Sequence, residues 1–200
     1  GVAATVATPF LPEKTHSQLM KEGSMTTPEH YDFHDEDADP EAFLLAALMR
    51  TRDVARIQHA TEMLTAADFY DASHAAIFAT MRSQVAQHRP CDAASIRSAL
   101  FAEGEQSGIH PDAIDSLITM LISLDVNDFH LHAYLHQVAG LSYRRQFARM
   151  ADRLANVAAT APETDLYDLL VKEGKHQRKA WEHYRNLAEP DPHKDNQKGH

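Results

Sequence analysis

Residues 64–78 read LTAADFYDASHAAIF, and two helix-start signals fall inside them. Thr65 and Asp68 have the S/T-x-x-D/E spacing of a capping pair, and Asp71 is the residue type that caps whatever follows it. The stretch predicts one short helical turn feeding a longer helix. In that helix His74, Phe78, Met81 and Val85 stand at i, i+4, i+7 and i+11, so they share one stripe. Asp68, Phe69, Tyr70, His74 and Phe78 then form a structural corner. Its two aromatic anchors, Phe69 and Tyr70, are expected to be covered by His74 and Phe78, a packing lock rather than an active site. His74 is expected to pack on the apolar face and give one ring nitrogen to a carbonyl or carboxylate, because the local sequence offers no partners for metal or catalytic chemistry.

Working outward, the helical pattern continues in both directions. Asp39 followed by Pro40 predicts a first helix through EAFLLAALMR, with Phe43, Leu44, Ala47 and Leu48 on one face. A second starts after Asp53 and carries Val54, Ile57, Met63 and Leu64. Downstream, Arg89-Pro90 ends the corner helix. Asp92 caps the next one, with Ile96, Ala99 and Leu100 inward, and Gly104 stops it. A strongly apolar helix after His110-Pro111, with Ile114, Leu117, Ile118, Leu121 and Ile122, is the expected centre of the core.

From Asp128 to about Ala161 the chain stays helix-compatible, far longer than the usual helix of about 11–12 residues. Gly140 marks a bend or a close helix contact. Pro162–Asp165 predicts a turn with Thr164 as cap, and a last helix follows to about Leu187. The fold class is therefore all-α: a compact multi-helix globular domain, 36–126, followed by a long antiparallel helical hairpin, 127–188. Residues 1–35 are expected to be disordered or derived from expression, with Gly23-Ser24-Met25 reading as a cloning junction, and 189–200 to be a disordered tail.

Composition bounds the function. The chain has 200 residues, 44% of them hydrophobic, enough for one ordinary core. Its single cysteine, Cys91, excludes an internal disulfide and a Cys-x-x-Cys metal site, which fits a reducing, cytoplasmic setting. No run is long and apolar enough for a membrane span. A net charge of −10 argues against a surface devoted to phosphate binding. The acids crowd Asp32–Glu41, a solvated flank, while Arg144, Arg145, Arg149 and Arg153 line the long helix as candidate contacts for nucleic acid or an acidic partner. Interleaved Asp152, Glu163, Asp168 and Glu173 favour simple solvation of those faces.

No cofactor or metal is expected. His132 and His136 lie one turn apart with Asp128 and His130 upstream, but a third ligand and the H-E-x-x-H form are missing. The apolar faces left on the hairpin nominate Leu131, Leu135, Val138, Trp181, Tyr184 and Leu187 as a partner interface, unless the hairpin folds back onto the core.

The series Asp68-Phe69-Tyr70, His74 and Ile77-Phe78 resembles the signature of the N-terminal domain of the bacterial DnaB-type replicative helicase. Upstream Pro40-Glu41-Ala42 and Leu44–Met49, and downstream Pro90-Cys91-Asp92, Ile96–Leu100 and Asn127–Val138, extend the likeness over about 38–160. The resemblance implies an all-helical, non-catalytic module acting in DNA replication. It would pair through its hairpin into a dimer or a ring of dimers and would dock replicative helicase or primase. The family's motor is not expected in this chain, because at Gly174-Lys175 the P-loop pattern would need glycine where Leu169 stands and Ser/Thr where His176 stands. The leg YDLLVKEGKHQRKAWEHY is more basic and less apolar than is usual in the family, which opens the alternative of a different partner. Two further readings are the helicase-binding domain of primase and a small nucleic-acid-binding regulatory protein using the basic hairpin.

Overall fold

Aspartates set the frame. Asp39, Asp53, Asp71 and Asp92 each accept a hydrogen bond from a backbone N–H in the first turn of the helix that follows, at 2.7–3.2 Å, relieving donors that have no intrahelical acceptor. A computed structural model describes residues 39–188, with Ala188 described by its backbone alone. The expectations for 1–35, for the acidic run through Asp37 and for the 189–200 tail lie outside those residues.

Among the described residues seven α-helices follow in order: α1 Pro40–Arg50, α2 Val54–Met63, α3 Ala72–Ala86, α4 Ala93–Glu103, α5 Pro111–Ser123, α6 Leu131–Thr160 and α7 Leu166–Ala188. Short 3₁₀ turns at Ala66–Asp68, Gly104–Ser107, Asp128–His130 and Glu163–Asp165 join them, and the described residues contain no strand. The fold class read from the sequence is the one observed.

The core is centred on α1, not on α5 as expected. Leu44, Leu45, Ala46, Ala47, Leu48 and Met49 are all buried, because a helix apolar all round must be surrounded. It packs against α3, α5 and α6. The apolar stripe of α5 is instead one-sided: Ile114, Ile118 and Leu121 are buried while Met120 and Ile122 face outward. Of the apolar residues carried by α2, Ile57 is buried and Val54 is exposed. Arg50 closes the far end of α5, its guanidinium donating to the carbonyls of Ile122, Leu124 and Val126, a cation on the negative end of a helix.

The first half of α6 lies on α1 and buries Leu131, Leu135, Val138 and Ala139. Full burial of an aliphatic side chain is worth about 1.5–3 kcal/mol, so these residues root the hairpin firmly. Beyond Ser142 no α6 residue is buried, and α7 is the element packed along it. That free stretch spans roughly 27 Å at 1.5 Å per residue. Body and hairpin nevertheless belong to one compact unit. Thr164 does not cap α7; it sits inside the 3₁₀ turn, its hydroxyl donating to the Asp165 carboxylate at 3.0 Å.

Candidate functional site

The corner is built as the sequence implied up to Phe69. Thr65 and Asp68 form a reciprocal capping box, with Asp68 Oδ2 accepting from the Thr65 N–H at 2.8 Å. Phe69 is buried and packs against Phe78 with ring centroids 4.7 Å apart and the rings tilted by 34°. Tyr70 departs from the expected lock: it is 58% exposed, and α3 does not cover it. The Arg145 guanidinium lies over its ring, 5.7 Å from the centroid.

His74 does have partners, brought from outside the corner. Glu41, on the first turn of α1, is buried and points at the corner. Its Oε1 accepts from the Tyr70 N–H at 2.6 Å and its Oε2 from the Asp71 N–H at 3.2 Å. His74 Nδ1 stands 3.5 Å from Glu41 Oε2 and 3.6 Å from Asp39 Oδ2, close enough for charge attraction yet without an aligned hydrogen bond. Burial pushes the His74 pKa down, but Glu41, Asp39 and Asp71 together outweigh it, leaving it above the ordinary histidine value.

The hairpin completes the cluster from the other side. Ser142 donates to Asp68 Oδ1 at 2.7 Å, and Arg145 donates to the Asp68 carbonyl with Nη1 3.6 Å from Glu41 Oε1. Burial, with repulsion from Arg149, lowers the Arg145 pKa against the attraction of Glu41 and Asp68. From α7, His183 Nε2 reaches Asp68 Oδ2 at 3.6 Å. Four buried polar side chains, Glu41, Asp68, His74 and Ser142, thus sit where α1, the corner, α3 and the hairpin meet. Such groups are tolerated inside a fold only when paired. The missed residue with a readable signal is Glu41, a carboxylate in the otherwise apolar helix PEAFLLAALM.

Higher on the hairpin, side chains divide between two flanks. On one flank Tyr143 stacks on Tyr184 at 5.4 Å and meets Trp181 at 5.7 Å and Phe147 at 6.5 Å. Tyr184 also meets His136, at 5.4 Å between ring centroids. Trp181 and Phe147 are about half exposed; Leu170, three turns before Trp181, continues its face toward the tip, where Tyr167 and Val171 are also exposed. The opposite flank carries Arg145, Arg149, Lys172, His176, Lys179 and His183.

Of the residues nominated as a partner interface, Leu131, Leu135, Val138 and Leu187 are buried inside this chain. They hold the hairpin's base to the body, so a partner cannot reach them while the hairpin is seated; Trp181 and the partly exposed Tyr184 remain accessible. The arginine row is not one surface. Arg145 is engaged with the corner, Arg153 pairs with Glu173 at 2.7 Å across the hairpin, and Arg144 and Arg149 are exposed on different flanks. The histidine group does not converge either, and no group of metal-ligating side chains occurs among the described residues. Nor is any described helix long and apolar enough to cross a membrane.

A helical body with an antiparallel hairpin rooted through a buried polar cluster defines the chain as an all-α domain. A family model described as the DnaB-like helicase N terminal domain matches residues 34–162. The chain belongs to that family, and is accordingly a helicase-associated domain of DNA replication. The matched span includes α6 and stops in the turn before α7. Among solved structures, the crystal structure of the N-terminal domain of DnaB helicase from Mycobacterium tuberculosis is similar, with a TM-score of 0.55 and 17% identity over 72% of this chain and 98% of that chain. At that identity the likeness concerns the fold. No curated protein matches the chain. Membership on the helicase side sets aside the primase-type alternative.

Proposed function

We propose that this chain is a non-catalytic assembly domain that self-associates through the aromatic flank of its hairpin and offers docking surface to a replicative helicase or primase. The observation that carries this reading is the aromatic group Tyr143, Phe147, Trp181 and Tyr184, in which Phe147 and Trp181 are about half exposed, with Tyr167, Leu170 and Val171 exposed nearer the tip. Single exposed apolar residues are ordinary, but several aromatic side chains grouped on one hairpin are characteristic of protein contact surfaces. Trp and Tyr are also the side chains that most often dominate such contacts. Light scattering coupled to size-exclusion chromatography tests it, on the chain alone and mixed with helicase or primase. A dimer or larger ring, or a complex that co-elutes, supports the reading; a monomer that ignores both proteins contradicts it.

A further inference from the structure

The joint between body and hairpin contains more acid than its permanent cation can balance. Around His74 stand Asp39, which caps α1, Glu41 from its first turn and Asp71 from the cap of α3, while Asp68 lies on the neighbouring corner. The hairpin supplies one guanidinium, Arg145 from α6, whose neighbour Arg149 repels it, and one imidazole, His183 from α7. The exposed Tyr70 ring lies under Arg145.

We propose that this joint is a proton-responsive clasp, in which protonated His74 keeps Glu41 seated against the corner amides and Arg145, and loss of that proton loosens the angle of the hairpin on the body. With His74 neutral, Asp39, Glu41 and Asp71 lose the charge they share, and Glu41 keeps only the Arg145 guanidinium at 3.6 Å. Glu41 is the buried one, so leaving the corner for water relieves it most. Its departure frees the Tyr70 and Asp71 N–H groups and uncouples Arg145 from α1. The hairpin stays attached, because Leu131, Leu135 and Val138 remain buried on α1. What changes is its orientation. The clasp works within one chain and does not depend on self-association.

The test places spin labels on Ala158→Cys near the hairpin tip and Ser98→Cys on α4, both exposed positions, in a Cys91→Ser background, and reads the distance distribution by pulsed EPR. We expect one narrow distance at about pH 6, where histidine is charged, and a broadened or shifted distribution at about pH 9. His74→Gln should lose the pH response, while His183→Gln should keep most of it. An unchanged distribution in the parent chain at both pH values overturns the proposal. So does a full pH response in His74→Gln, or a response lost only in His183→Gln. Circular dichroism on each variant establishes that it is folded, and the parent chain decides the question by itself if His74→Gln is not.

Discussion

Glu41 is a charged residue held in the apolar interior by two backbone N–H donors, a guanidinium and an imidazole. Removing its charge should leave Arg145 and His74 without their main counter-charge, so Glu41→Gln should cost about 2–4 kcal/mol in urea or guanidinium unfolding. A double-mutant cycle with Arg145→Met should then show strong coupling; additive costs would mean that the two side chains act independently. pH offers a second handle. His74 is raised above its ordinary value, so its contribution is complete below about 6.5 and is lost as pH rises through the raised value in the folded state. For Asp71, burial raises the pKa but is outweighed by hydrogen bonds from His74 and Ser73 and by the His74 charge, so it lies below its ordinary value. Its contribution is present above the ordinary carboxylate range and is lost as pH falls through the lowered value. Unfolding midpoints across pH should therefore be highest between these limits, and His74→Gln should flatten the alkaline side. An alkaline limb unchanged in that variant would place its origin elsewhere.

At the scale of the element, aspartate caps and apolar spacing made the helices legible. The starts of α1 to α4 follow directly from Asp39, Asp53, Asp71 and Asp92. The surroundings of Tyr70 were not legible, because it stands in the link before α3 and the group over its ring, Arg145, comes from α6. The clasp was illegible for a related reason: Glu41, Asp68, Ser142 and His183 are distant in the chain, and only packing brings them together. Element ends still make predictions. His88, just past α3, has φ +55°, a left-handed conformation that costs a side-chain-bearing residue about 1–2 kcal/mol. His88→Gly should therefore raise stability in thermal unfolding. Gly104, with φ +55° at the end of α4, should behave oppositely and lose stability as alanine. Inside the hairpin, a Cβ at Gly174 would meet open space, so Gly174→Ala should stabilise α7 by about 1 kcal/mol. At Gly140 a Cβ would lie 3.7 Å from the Tyr184 ring, an ordinary contact, so the close approach expected there is real but not tight. A loss of stability on Gly174→Ala would mean that α7 needs a local irregularity at that point.

For the whole molecule, charge is distributed unevenly. Residues 143–187 carry nine Lys/Arg against six Asp/Glu, a balance of +3 within a chain of net charge −10. The projecting hairpin is thus a basic, partly aromatic arm on an acidic body. Its buried base was legible from the sequence only as apolar residues awaiting a partner, because a stripe of Leu and Val does not say whether the surface covering it belongs to the same chain. The accessible part is the aromatic flank, and the proposed assembly depends on it. Light scattering of the parent chain and of the Phe147→Ala, Trp181→Ala double variant, at matched concentration, tests this most directly. The account predicts a discrete dimer or ring for the parent and a folded monomer for the variant. A parent that is already monomeric, or a variant that assembles like its parent, would contradict it.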